Sequence, residues 1–369
     1  MTPRLRDAKL LVVKIGSALV VDQAAARTGW LDGVATDIAA ARARGTAVVV
    51  VSSGAIALAR SALGLGRKRL RLEEKQAAAA VGQIRLAQAW TAALGAHGMV
   101  AAQLLLTLED TEDRRRYLNA RATLTTLLGL GCVPVINEND SVATAEIRFG
   151  DNDRLAARVA EMVQADQLLL LSDIDGLYTA DPKRDPAARH IAEVAVLTPE
   201  IEAMGGDPPP GYSSGGMRTK LVAARIATQA GCAMAIAVGH VERPLQALLD
   251  GAQCTWFLPA EEGRSARKRW IAGSLQPSGR LVVDPGAARA LAAGRSLLPA
   301  GVRQVDGDFE RGDPVLVQDR QGTVLGRGLT AYGSADARRI AGHRSEEIEA
   351  ILGWRGRDEM VHRDDLTLT

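Results

Sequence analysis

The stretch DNDRLAARVAEMVQADQLLLLSD, residues 151–173, holds both halves of the fold. In its first part Leu155, Val159, Met162 and Val163 fall at i, i+4, i+7 and i+8, the spacing that lines one face of a helix. In its second part, QLLLLS (167–172), nearly every position is apolar. A strand with one wet face alternates apolar and polar residues. One without alternation is buried on both faces, as in a parallel sheet covered by helices. Working outward, the same strand pattern recurs in KLLVVK (9–14), TAVVVV (46–51), MVAAQLLL (99–106), CVPVIN (132–137) and CAMAIAVG (232–239), with Ala-, Leu- and Arg-rich helical stretches between them. This alternation predicts an α/β fold: an open, mostly parallel sheet sandwiched by helices.

The rhythm breaks at about 174–214, where TADPKRDPAAR and GGDPPPGYSSGG are dense in Pro, Gly and Asp and read as loops and small hairpins. A second shift comes near 260. Residues 260–276 read as a linker whose basic cluster, Arg264, Arg267, Lys268 and Arg269, is a solvated face. Short β runs separated by DGD and DRQG follow, predicting a small β-barrel over 277–369 after a first domain of 1–259. SEEIEAILG, with Ser345 at an expected N-cap, reads as a last helix.

The totals exclude several classes. Hydrophobic residues are 47% and charged residues 24%, an ordinary globular composition. Aromatics are 3%, too few for a base-stacking platform, and 45 Lys+Arg against 43 Asp+Glu give no global basic field for nucleic acid or anionic membranes. Cys132, Cys232 and Cys254 are far apart and odd in number, which suits a reducing, cytoplasmic compartment. No run approaches the ~20 apolar residues of a membrane span.

In open α/β sheets ligands bind beyond the carboxyl ends of the strands. Four exits carry polar and Gly residues: Lys14-Ile15-Gly16-Ser17, Ser52-Ser53-Gly54-Ala55, Glu138-Asn139-Asp140-Ser141 and Ser172-Asp173. Ser53 and Gly54 stand at a strand-to-helix turn, where free N–H groups bind anions, although a plain Ser cap gives the same pattern. A lysine ending an apolar strand, as Lys14 does, must either snorkel out or meet an anion. Gly215-Gly216 leads into a helix with Lys220 on its first turns, like a phosphate cradle but without the G-x-x-x-x-G-K-[ST] pattern. NENDSVATAEIRFGDND is the densest polar patch. It fails the calcium-loop pattern because its helix starts at once. Asp151 or Asp153 serves as a helix cap, but a cap needs one residue, and the excess of carboxylates and amides suits a cationic ligand group.

Together these segments resemble the amino acid kinase family, in the branch that phosphorylates the γ-carboxylate of L-glutamate to open proline biosynthesis. The resemblance spans nearly the whole chain. It rests on VVKIGSALV (12–20), VVSSGAIALAR (50–60), KQAAAAVGQ (75–83), YLNAR (117–121), VPVINENDSVATAEIRFGDNDRLAARVA (133–160), LLLLSDIDGLYTADP (168–182) and GGMRTKLVAARIA (215–227). The tail, with LLPAGV and RIAGHRSEEIEAILG, resembles a PUA domain.

The resemblance implies roles. Lys14 and Lys220 bind the ATP phosphates and stabilise the transferring phosphoryl group, and Asp153 orients them. Ser53, Gly54, Asp140 and Asn152 hold glutamate. Ser172, Asp173 and the run Ser214, Gly215, Gly216, Met217, Arg218, Thr219 and Lys220 line the nucleotide site. Mg²⁺ arrives with ATP, and no dedicated metal cage is expected. Family habit adds a dimer or tetramer, feedback inhibition by proline and a γ-glutamyl phosphate reductase acting alongside. The competing expectations are an acetylglutamate, aspartate or uridylate kinase, and, from another class, RNA binding through the PUA-like domain. An N-acylated acceptor has no ammonium and would not want so many carboxylates. The near-neutral charge speaks against RNA as the main partner.

Overall fold

Strands β1 (Leu10–Ile15), β2 (Ala47–Ser52), β3 (Ala101–Leu106), β4 (Val133–Glu138), β5 (Gln167–Ser172), β6 (Glu193–Val194), β7 (Ala233–Val238) and β8 (Cys254–Phe257) form one sheet in the computed structural model, which describes residues 5–22, 25–66, 70–142, 151–206, 216–259 and 277–368. The sheet order is β6-β8-β7-β5-β1-β2-β4-β3, and every pair is parallel except β7 with β8. All six apolar runs of the sequence are strands. The loop-like region after residue 174 also holds a short ribbon, Leu177–Tyr178 with His190–Ile191, the sheet strand β6 and a helix, Pro199–Ala203. Neither β6 nor that helix was expected from its Pro- and Gly-rich surroundings.

Successive side chains of a strand point to opposite faces, and here they feed two cores. Leu11, Val13 and Ile15 of β1, with Leu169 and Leu171 of β5, pack on one side with Trp30, Leu31 and Trp90. That side carries the helices α1 (Thr28–Ala43), α2 (Ala55–Arg60) and α3 (Leu72–Gly95). Val12, Val49, Leu168 and Leu170 pack on the other side with Leu124, Leu155, Ala156, Ala223 and Ala224. That side carries α4 (Arg114–Gly129), α5 (Asp151–Val163) and α6 (Met217–Gln229). Each fully buried leucine contributes about 1.5–3 kcal/mol. Lys14 shares the parity of Val12, so strand register alone aims it at the side of α5 and α6.

The chain divides into two compact units, Met1–Gly263 and Arg264–Thr369. The second has its own five-stranded sheet of β9 (Gly279–Val283), β10 (Val302–Gly307), β11 (Pro314–Gln318), β12 (Val324–Leu329) and β13 (Leu366–Leu368), ordered β10-β9-β11-β12-β13. Leu281, Val283, Val315, Val317, Tyr332 and Ile340 form its separate core. Ser345 does not cap the last helix as expected. It opens a short 3-10 turn, its hydroxyl donates to the Asp358 carbonyl at 2.8 Å, and Glu347 reaches back to the Arg344 N–H at 2.7 Å. The linker reading of 260–276 lies outside the described residues.

Candidate active site

Asp153 is fully buried on the first turns of α5, and the ammonium groups of two buried lysines flank its carboxylate. Lys14 Nζ lies 2.5 Å from Asp153 Oδ1, and Lys220 Nζ lies 3.1 Å from Oδ2. The Thr219 hydroxyl donates to the same Oδ2 at 3.0 Å. Sheet parity brings Lys14 to this point, and the start of α6 brings Thr219 and Lys220. Burial pushes the Asp153 carboxyl up, but the two ammoniums outweigh it and hold the group below the usual carboxylate range. Burial pulls the Lys14 ammonium below the ordinary lysine range, Asp153 opposes that, and Lys220 adds to it. Two cations against one anion leave these three groups with a surplus positive charge where water is scarce. Buried charge is costly unless it is compensated, so the cluster suits an anionic ligand.

A chain of amides lies beside this cluster. Asn152 Nδ2 donates to Ser53 Oγ at 2.5 Å and to Asn137 Oδ1 at 3.1 Å, while Asn137 Nδ2 donates to Gln83 Oε1 at 2.8 Å. The turn carrying Ser53 is fixed from both sides. The Ser53 N–H donates to the Ile15 carbonyl at 3.0 Å, and Trp90 Nε1 donates to Ser52 Oγ at 2.9 Å. Gly54 has φ +124°, outside the comfortable range of any residue with a Cβ. A Cβ on Gly82 would lie 1.7 Å from the Ala55 carbonyl oxygen, so the glycine lets α3 press against the start of α2. Next to Gln83, a cavity of about 310 Å³ is lined by Gln103, Glu138, Asn139, Asp140 and Ser141 among others.

Of the residues expected to act together, Lys14, Asp153, Thr219 and Lys220 meet directly, as do Ser53 and Asn152, with Gly54 next in the turn. Asp140 lines the cavity. Ser172 ends β5 beside β1, and its hydroxyl donates to Asp173 Oδ1 at 3.0 Å. The Asp173 carboxylate is near enough to act on the Lys14 ammonium. Gly216 precedes α6, where Met217 is half-buried and Arg218 exposed. Ser214, Gly215 and the Asp151 side chain lie outside the described residues, and the Asp153 carboxylate is engaged by the lysines and Thr219. Sequence reasoning assigned no role to Gln83 or Gln103, although Gln83 closes the quoted segment KQAAAAVGQ. In a sequence, a polar residue in an Ala-rich helix reads as a solvated face.

A parallel sheet with paired lysines and a carboxylate at its carboxyl edge is the frame of a phosphotransferase, and the chain belongs to the amino acid kinase family, whose sequence profile matches residues 9–237. The profile of the PUA domain matches residues 279–352. Among curated relatives, the Glutamate 5-kinase of Paramagnetospirillum magneticum is 66% identical over 370 residues, covering 100% of this chain and 100% of that protein. The Glutamate 5-kinase of Gluconobacter oxydans is 64% identical, covering 99% and 97%, and that of Paracoccus denitrificans is 62% identical, covering 100% and 99%.

Proposed function

We propose that the protein transfers the γ-phosphoryl group of ATP to the γ-carboxylate of L-glutamate, giving L-glutamyl 5-phosphate and ADP, the first step of proline biosynthesis. The observation that carries this reading is the buried Lys14–Asp153–Lys220 cluster beside the Ser53–Asn152 pair, in a chain matched end to end by Glutamate 5-kinases.

The chemistry asks little of a base. A γ-carboxylate has an ordinary pKa of about 4.3 and is already an ionised nucleophile at neutral pH. The obstacle is repulsion between that carboxylate and the triphosphate, so catalysis consists of positioning and charge neutralisation. Lys14 and Lys220 supply the cations, and Asp153 holds both ammoniums at fixed points, which avoids reorganisation as charge moves. The N–H groups opening α6 add donors for phosphate oxygens. Ser53 and Asn152 hold the acceptor. Among the described residues no group of three or more His, Cys, Asp or Glu could hold a metal. Mg²⁺ bound to the triphosphate would neutralise phosphate charge while keeping most of its waters. The three cysteines are free thiols, which supports a reducing cytoplasm as the compartment.

The test is ADP release from Mg-ATP with L-glutamate, N-acetyl-L-glutamate, L-aspartate and UMP, with hydroxylamine present to trap an acyl phosphate. Turnover with glutamate alone, together with a trapped hydroxamate, is the expected result. Turnover only with another acceptor would move the substrate assignment, and none at all would overturn the reading.

A further inference from the structure

Four amide side chains stand in file between the cavity and Ser53. Gln83 Nε2 donates to Gln103 Oε1 at 3.3 Å, Asn137 Nδ2 to Gln83 Oε1 at 2.8 Å, and Asn152 Nδ2 to Asn137 Oδ1 at 3.1 Å and Ser53 Oγ at 2.5 Å. A primary amide has one accepting end and one donating end, so each bond sets the direction of the next. Because Gln83 offers its oxygen, Asn137 must turn its nitrogen to it and its own oxygen to Asn152. Asn152 then spends its nitrogen twice. Its Oδ1 is left over, buried and without a hydrogen-bond partner among the described residues. Buried acceptors are rarely left unmade in folded proteins, and an orphan beside a ligand site points to a donor brought by the ligand. An ammonium offers three donors and no acceptor, whereas an acylated nitrogen keeps a single N–H and adds a carbonyl that the Asn152 oxygen does not favour.

We infer that Gln83 is a positioning residue for the acceptor substrate: acting through Asn137, it holds Asn152 with its carbonyl oxygen toward the ligand and so selects a free α-ammonium over an N-acylated amino group. The inference rests on glutamate being the acceptor. Gln83 touches no reacting atom in this scheme. It determines which end of a neighbouring amide the substrate meets.

The test uses the full chain with Gln83→Leu and Gln83→Glu, each assayed for glutamate and Mg-ATP. Gln83→Leu removes the acceptor that orients Asn137. It raises the KM for glutamate about tenfold, leaves kcat within about twofold and leaves the KM for Mg-ATP unchanged, the pattern of lost ground-state binding. Gln83→Glu still accepts from Asn137, and the exposed Gln103 can turn its nitrogen to the new carboxylate, so the KM for glutamate returns to within about threefold of wild type. A direct contact between Gln83 and the substrate predicts the reverse order, because a glutamate at 83 would place its charge against the substrate carboxylates. An unchanged KM in Gln83→Leu, a Gln83→Glu no better than Gln83→Leu, or losses shared by kcat and the KM for Mg-ATP would each overturn the inference. A wild-type protein that does not turn over glutamate would instead remove the functional reading beneath it.

Discussion

Asp153 binds two ammonium groups with one carboxylate, and its replacement separates charge from shape. Asp153→Asn keeps the volume and frees the two lysines to repel one another. We expect kcat at saturating substrates to fall about 10²-fold or more, the scale of losing a preorganised electrostatic contact, with a smaller change in either KM. Steady-state kinetics on the two proteins would decide it, and unchanged turnover would show that the lysines need no anchor. The pH dependence follows from the directions of the shifts. The Lys14 ammonium sits below the ordinary lysine range, so activity falls as pH rises through that lowered value. Asp153→Asn removes the carboxylate that opposes the lowering, so the alkaline limb of the kcat profile moves to still lower pH. On the acid side the Asp153 carboxyl is held below its unfolded value. Its stabilisation is complete above that unfolded value, about 3.9, and is lost as pH falls through the folded one. Wild-type and Asp153→Asn stabilities should therefore converge as acid unfolding proceeds below about pH 4. At this scale the sequence marks Lys14 plainly, because a lysine inside an apolar strand is out of place. Spacing and periodicity do not pair Lys14 with Asp153, nor Asp153 with Lys220 sixty-seven residues on, because no local pattern encodes which loops meet; only the family resemblance joins them.

The strands were legible because six of them lie in apolar runs without polar alternation, while β8 has four residues and runs antiparallel to β7, and β6 has two and hides among loops. A short strand borrows its stability from neighbours, so its own residues need carry no signature. Helix α3 shows the converse. Gly82 lies inside a long helix, where alanine would normally be favoured by about 1 kcal/mol. Here the added methyl would strike the Ala55 carbonyl oxygen. Gly82→Ala is expected to destabilise by about 1–3 kcal/mol, the cost of overpacking a close contact, read as a lower urea midpoint. The KM for glutamate should rise with it, because α2 follows directly on Ser53 and Gly54. Asp37 gives a contrasting case. Buried in α1, it accepts from the Leu245 and Gln246 N–H groups at 2.9 and 3.2 Å and from Arg243 Nε at 2.9 Å, all remote from the lysine cluster. Asp37→Ala should cost about 1–3 kcal/mol, the scale of leaving buried backbone donors unpaired while the exposed Arg243 returns to water, and the surviving folded protein keeps the wild-type KM for both substrates.

Every site residue placed above belongs to the unit Met1–Gly263, and Arg264–Thr369 has its own sheet and core. A chain ending at residue 263 should keep turnover within about tenfold of the full protein, since every site residue placed above is retained. Calorimetry of the full chain should show two transitions, one of which disappears on truncation; a single transition, or an inactive truncated chain, would show that the first unit depends on the second. The composition shift in the sequence lies near 260, and the two units divide at residue 263. The central place of β1, between β2 and β5, has a consequence for synthesis. A ribosome delivers Lys14 long before β5, which flanks β1 on one side, and before Lys220 opposite it. A nascent chain therefore carries half a cation pair and no bed to hold it. On the proposed function a copy that stops before α6 would be unable to spend ATP, because Lys14 meets its partner lysine only when α6 has emerged.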